Sequence, residues 1–174
     1  EAGRFRTSSV GVLRGNRVVH VAPPARLVDV EIEALLRWLR RTTAPTLVAA
    51  AIAHYELLFI HPFSDGNGRL ARLWHQVIHR PVSELLLSVP IESVIRERQA
   101  EYVRVLRACD GVGDCSKFIR FSLEALTEAL EAFVSEVRPA LVRSDDRLDR
   151  AREHFGSSEF TRAQYLRLLP RLST

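Results

Sequence analysis

His61-Pro62-Phe63-Ser64-Asp65-Gly66-Asn67-Gly68-Arg69-Leu70-Ala71-Arg72 stands between two helical patterns, and its reading decides how the chain folds. On its N-terminal side, Leu47 to Ile60 is apolar nearly all round apart from His54, Tyr55 and Glu56. Such a helix belongs in the middle of a domain, and Pro45 suits its first turn. On the C-terminal side, after the glycines at 66 and 68, the spacing predicts a helix from about Asn67 to His79 that turns Leu70, Leu73, Trp74 and Val77 inward. The stretch is therefore a short polar loop running straight into a helix N-terminus at the centre of a helical domain.

The residue types in that loop fit one chemistry. Transfer of a phosphoryl or nucleotidyl group needs a base for the attacking hydroxyl, a carboxylate for a metal ion, and donors for phosphate oxygens. His61 precedes Pro62, which favours an extended backbone before it, so the imidazole can be presented from a loop. Asp65 is a hard oxygen ligand of the kind magnesium takes. Gly66, Asn67 and Gly68 let backbone N–H groups turn toward an anion at the start of a helix. Arg69 and Arg72 lie three apart on that helix, so two guanidinium groups can grip one polyphosphate. Each feature has an ordinary structural reading by itself; together and in this order they are far more specific.

Working outward, Val10 to Val21 places β-branched runs on both sides of Arg14-Gly15-Asn16-Arg17, the pattern of a short hairpin. Pro23 and Pro24 stop its second strand. A helix follows from about Leu27 to Arg41, with Val30, Leu35, Leu36 and Leu39 on its apolar side. Pro90 opens a fourth helix carrying Val94, Ile95, Tyr102, Val105 and Leu106. Asp114 is a candidate N-cap for a fifth, on which Phe118, Phe121, Ala125, Leu126, Leu130, Phe133 and Val137 recur, and Pro139 is expected to end it. Past Ser144 the chain is strongly charged until Thr161-Arg-Ala-Gln164 forms a capping box ahead of Tyr165, Leu168 and Leu169. The expected fold is all-α with a small β-hairpin, in two parts: 1–140, and a helical tail at 141–174.

Composition narrows the function classes. The chain has 174 residues, is 47% hydrophobic and carries a formal net charge of +4. No apolar run approaches the roughly 18 residues of a membrane span, and no signal peptide opens the sequence, so a cytoplasmic protein is expected. Lys117 is its one lysine, and the arginines are scattered along the predicted helices, so no nucleic-acid patch is demanded. Richness in Ala, Leu and Arg suggests a bacterial source. There is no methionine, so the natural N-terminus is expected upstream of Glu1. Cys109 and Cys115 have no neighbouring ligands to complete a zinc site and read as ordinary thiols. His54 reads as a core histidine, His75 and His79 as a solvated or packed pair in place of a metal site, and Trp38 and Trp74 as core residues.

The 61–72 stretch resembles the signature of the Fic family, His-Pro-Phe-x-(Asp/Glu)-Gly-Asn-Gly-Arg-x-x-Arg, at every fixed position. Gly3-Arg4-Phe5-Arg6-Thr7, the hairpin, Val21-Ala-Pro-Pro24, the helix leading to Ile60-His61, Pro90-Ile-Glu-Ser-Val-Ile95, Gln99-Ala-Glu-Tyr102 and Phe118-Ile-Arg-Phe121 are similar to Fic-domain segments as well, so the likeness covers roughly 3–135. It implies a Fic-domain helical bundle with a hairpin flap at 10–21, transferring AMP from ATP to a Tyr, Ser or Thr of a target protein. On that resemblance His61 is the base and Asp65 holds Mg2+ on the α- and β-phosphates. Asn67 contacts the α-phosphate, the Gly66 and Gly68 amides form the anion hole, and Arg69 and Arg72 hold the β- and γ-phosphates. Phe63 and Ser64 complete the nucleotide-binding loop, with Tyr102 and Asp110 falling where family members contact adenosine. Many relatives have a second tyrosine where Val103 stands and asparagine near Asp110. Val18, Val19, His20 and Val21 of the flap would dock the target by strand addition.

Alternatives within the resemblance stay open. A Doc-like kinase reverses the nucleotide but carries lysine at the position of Gly68, which favours AMP transfer here. UMP or phosphocholine transfer uses the same motif, and a homodimer is compatible with it. Residues 157–174 resemble the opening of a winged-helix module, so DNA is a partner only if the module continues past Thr174. Fic proteins are commonly restrained by a helix bearing (Ser/Thr)-x-x-x-Glu-(Gly/Asn), whose glutamate pairs with the second motif arginine. Thr127-Glu-Ala-Leu-Glu131 is followed by Ala132 and lacks that motif. The inhibitory segment is expected before Glu1 or from an antitoxin-like partner, leaving Arg72 unpaired.

Overall fold

The computed structural model describes the backbone of residues 3–14 and 17–168, and the side chains in those spans except 13, 14, 17, 19 and 137–146. The expected turn at Gly15 and Asn16, the side chains of Val19 and Val137, and Leu169 lie outside the described residues. The chain divides into two compact units, one through Leu130 and one from Glu131 onward. The fold is helical with one small antiparallel sheet, as expected. Among the described residues no helix is long and apolar enough to cross a membrane.

The hairpin comprises β1 (Gly11–Arg14) and β2 (Arg17–Val21), paired antiparallel with Gly11 opposite Val21 and Val12 opposite His20. The register slips after Val12, where the pairing passes from Val12–His20 to Leu13–Val18. Val18 and Val21 are left exposed. α1 (Val28–Arg41) buries Val28 and Leu35, with Ile32, Trp38 and Leu39 packed alongside. Val30, expected on its apolar side, is exposed instead.

α2 (Thr46–Ile60) is the central helix. Pro45 precedes it as N-cap, and Ala49, Ala50, Ala51, Ala53, His54, Tyr55, Leu57 and Ile60 are buried. Its run of alanines lets α3 (Asn67–His79) approach closely. That contact overturns the expected orientation of α3. Its buried residues are Asn67, Ala71, His75 and His79, spaced four apart, whereas Leu73, Trp74 and Val77 are exposed. Residues four apart stack on one helix face, and here the face that fits against small side chains is the small and polar one. Hydrophobicity by itself pointed to the wrong side.

The single helix expected after Pro90 is two, α4 (Ile91–Glu97) and α5 (Gln99–Asp110), broken at Arg98. Arg98 is bonded to Glu101, Glu124 and Glu128, and its guanidinium lies 4.9 Å from the centre of the Phe121 ring. These partners anchor the joint and let α4 and α5 present separate apolar faces. α6 runs Ser116–Phe155, its start closed by Asp114, which accepts from the Ser116 amide at 2.8 Å.

The backbone remains helical through Pro139, contrary to expectation. A proline removes one ladder bond, and a helix long on both sides can absorb that loss. The helix ends instead at Gly156, whose φ of 55° is the left-handed conformation that favours glycine. In the second unit, Thr161 and Gln164 form the expected reciprocal capping box at the start of α7 (Arg162–Leu168).

Candidate active site

His61 ends α2 in a left-handed conformation, φ 50° and ψ 59°, which corrects the extended backbone expected ahead of Pro62. For a non-glycine residue that costs roughly 1 to 2 kcal/mol, so neighbouring contacts must impose it. The ring is half-buried, and Nδ1 lies 3.3 Å from the Leu58 carbonyl. A carbonyl only accepts, so Nδ1 carries the proton and Nε2 keeps its lone pair. Burial holds the imidazole below its ordinary pKa, with the Leu58 bond acting against that, His20 and Arg6 adding to it, and Asp65 opposing it. The ring is thereby neutral at neutral pH, the state a base requires.

The chain turns from His61 into α3 through a loop closed by Asn67. That side chain is 2% exposed; its Oδ1 accepts from the Phe63 amide at 2.9 Å and its Nδ2 donates to the Phe63 carbonyl at 2.8 Å. Gly66 then caps α3 at φ 86°, with no side-chain capping bond. Leu70 makes the first helical bond, to the Gly66 carbonyl. The amides of Asn67, Gly68 and Arg69 therefore precede the ladder and face the end of the helix with its positive partial charge. The Gly66 amide differs, donating to its neighbour Asp65 at 2.6 Å.

The two motif arginines are unequal. Arg69 is exposed and only loosely associated with Asp65, 3.7 Å away. Arg72 is half-buried; its Nε donates to Glu92 at 3.1 Å, and its Nη1 lies so near Gly68 that a β-carbon there would be 3.3 Å away. The expectation of an unpaired Arg72 is thus corrected: α4 supplies a carboxylate from within the chain. That pairing joins elements whose approach the sequence does not reveal.

A cavity of about 270 Å³ opens beside His61 and Gly68, walled by Val12 and His20 of the hairpin, Tyr55 and Phe59 of α2, Arg72, and Tyr102, Leu106 and Asp110 of α5. The expected Tyr102 and Asp110 are therefore brought to the motif. Tyr102 has its hydroxyl 3.1 Å from His54 Nε2, and burial pushes its phenol pKa up. Asp110 accepts from the Tyr55 hydroxyl at 2.9 Å and lies 2.7 Å from His20 Nδ1, while His20 Nε2 is 2.8 Å from the Phe59 carbonyl. This clasp ties the hairpin to α2 and α5. Phe63, Ser64 and Asp65 lie in the loop outside the cavity wall, Ser64 and Asp65 exposed.

His54 is a core residue as expected, and burial brings its pKa down to about 3. His75 and His79 are a packed pair with ring centres 4.3 Å apart. Among the described residues no group of three or more His, Cys, Asp or Glu is placed to hold a metal ion. Sequence reasoning missed Tyr55, Glu92 and Arg6 as parts of the site. Arg6 is buried although it is an arginine, and its backbone amide and guanidinium both reach the His61 loop. A charged residue inside the Gly-Arg-Phe-Arg segment was the available signal.

Comparison with known proteins matches this geometry to a group. Residues 1–79 match the Fic/DOC family. The chain is 31% identical over 141 residues to protein adenylyltransferase fic-1 of Caenorhabditis elegans, an alignment covering 79% of this chain and 26% of that protein. It is likewise 31% identical to protein adenylyltransferase Fic of Nematostella vectensis, over 78% of this chain and 30% of that one. Among solved structures, a Fic family protein from Desulfovibrio desulfuricans G20 superposes with a TM-score of 0.71 and 40% identity, over 98% of this chain and 51% of that one. The chain thus spans between about a quarter and a third of the length of these curated relatives.

Proposed function

Because the chain belongs to the Fic/DOC family, we propose that it is a protein adenylyltransferase, moving AMP from ATP to the hydroxyl of a Tyr, Ser or Thr on a target protein. The observation that carries this reading is the meeting of His61 and the start of α3 on one cavity wall. A ring whose Nε2 lone pair is free to take a proton stands beside a helix N-terminus with no side-chain cap. In the reaction, Nε2 of His61 accepts the hydroxyl proton and the target oxygen bonds to the α-phosphorus. The bond from that phosphorus to the oxygen bridging to the β-phosphate breaks, and pyrophosphate leaves.

The amides of Gly68 and its helical neighbours receive phosphate oxygens, and Arg69 and Arg72 take the β- and γ-phosphates. Asn67 holds the loop closed. The adenosine occupies the cavity between the hairpin and α5, against Tyr102. Magnesium fits Asp65: a single exposed carboxylate beside a phosphate cradle suits an ion that takes one or two carboxylates and draws its other ligands from phosphate and water. When bound it would supply neutralisation of phosphate charge. The target segment adds along β2, next to the exposed Val18 and Val21.

Gly68 favours this reading over γ-phosphate transfer. Doc-like kinases carry lysine at that position, and a side chain longer than glycine there would crowd Arg72 Nη1, which lies 3.3 Å from the β-carbon position. The test is transfer from labelled ATP to protein in a lysate, comparing wild type with His61→Ala. Label from the α-position entering protein, and lost on His61→Ala, supports the proposal. Label from the γ-position, or transfer only from UTP or a choline-bearing nucleotide, sinks it.

A further inference from the structure

Arg6 makes an unusual set of contacts. It is 6% exposed, and its partners are main-chain carbonyls. Its backbone amide donates to the Pro62 carbonyl at 2.9 Å and its Nε to the His61 carbonyl at 2.8 Å. Nη2 donates to the Ile60 carbonyl at 3.1 Å and also to Pro23, and Nη1 donates to Ser8 at 2.9 Å. The residue therefore binds each carbonyl from 60 to 62 and reaches the chain on both sides of the hairpin.

The end of α2 explains why such a donor is needed. The last carbonyls of a helix lack partners inside it. A helix ending in a left-handed residue ordinarily satisfies them with the amides that follow. Here the residue after His61 is Pro62, which has no N–H to give. Arg6 supplies from outside the helix the donor for the last of them, the Ile60 carbonyl, while the His61 and His20 rings meet those of Leu58 and Phe59. The positive charge of Arg6 sits at the negative end of the helix dipole.

We infer that Arg6 is the positioning residue of the base: it holds the main chain on both sides of His61 in the left-handed turn that places the ring, and ties that turn to the base of the hairpin. The chemical consequence rests on the adenylyltransferase reading; the structural one does not. Lysine cannot substitute, because three donors on one nitrogen cannot spread over carbonyls that the planar guanidinium reaches from three nitrogens.

The test uses the full chain and its Arg6→Ala and Arg6→Lys variants, with two readouts. Histidine-selective nitrogen NMR should report the Nδ1–H form for His61 in the wild type, and a mixed or exchanged state in both variants, with the melting transition still cooperative in Arg6→Lys. This measurement needs no turnover, so it decides the inference even if AMP transfer is absent. Where transfer occurs, both variants should lose on the order of 10²-fold in kcat with ATP KM changed by no more than a few fold, a cost typical of a misplaced reacting group. Ethylguanidinium should return part of that rate to Arg6→Ala. An unchanged His61 signal in both variants, or kcat within twofold of wild type while His61→Ala is inactive, overturns the inference. Full activity in His61→Ala would instead remove the proposed function and leave the NMR result standing.

Discussion

Glu92 of α4 accepts a hydrogen bond at 3.1 Å from Nε of Arg72, the last arginine of the motif. The pair is partly open to solvent, with 27% of the Arg72 and 59% of the Glu92 side chain exposed, so it is worth about 0 to 1 kcal/mol. Its effect is directional: Nε is occupied while Nη1 lies over Gly68. Arg72→Ala should weaken ATP by about 10- to 100-fold, the loss of charge-assisted bonds of roughly 1.5 to 3 kcal/mol. Glu92→Ala should change it by less than about fivefold. Calorimetric titration of both variants with ATP checks this; tenfold tighter ATP in Glu92→Ala would make Glu92 a competitor of phosphate.

The rate of transfer should depend on pH through His61. Its folded pKa lies below the ordinary 6.5 chiefly through burial. The base works unprotonated, so activity is full above that pKa and is lost as pH falls through it. The acid limb of kcat/KM is therefore expected below pH 6.5, and His61→Ala should lose about 10²- to 10⁴-fold while abolishing that limb. An acid limb centred well above 6.5 would contradict the assignment.

Acid should also destabilise the fold. His54 and His75 are buried neutral, with pKa values brought down to about 3 and about 2, in both cases chiefly by desolvation. Unfolded, each would take a proton near pH 6.5. Below that pH the unfolded chain binds more protons than the native one, so stability rises with pH and falls as pH drops from 6.5 toward 3. Each ring contributes about 1.4 kcal/mol per pH unit across that window. Urea unfolding at pH 7 and pH 5 measures the slope, and His75→Phe should reduce it by one proton.

Asn67 offers a stability test inside the motif. Its buried amide makes both bonds to Phe63, so Asn67→Ala leaves an amide and a carbonyl of that residue without their partner. A loss of about 2 kcal/mol is expected, with poorer ATP binding as the loop loosens. Asn67→Asp, which can still accept from the Phe63 amide but not donate to its carbonyl, should fall between. Urea melts and ATP titrations on the two variants check the order.

Much of the site was legible because it is local. Gly66 needs a positive φ and Asn67 begins a helix, both set by local backbone preferences. The left-handed turn of His61 was not legible, since Pro62 pointed to an extended backbone and contacts from outside the loop hold the turn. The capping box at Thr161 and the core place of His54 were legible for similar reasons. The face of α3 was not. Leu73, Trp74 and Val77 form the more apolar stripe, yet the alanine-rich surface of α2 accepts Ala71, His75 and His79. The break at Arg98 was hidden too, since its carboxylate partners include Glu124 and Glu128 on another helix.

The sequence by itself determined the twelve-residue loop, its glycine turn, the helix N-terminus it feeds and the hairpin ahead of it, because short-range sterics and capping settle such features before the chain is packed. Only the tertiary structure decided what holds them. Arg6 meets His61 across 55 residues, His20 meets Asp110 across 90, and Arg72 meets Glu92 across 20. Those encounters follow from which helix faces fit together. No local preference encodes them, since a hydrogen bond between distant residues forms only where packing has already removed water and brought donor to acceptor.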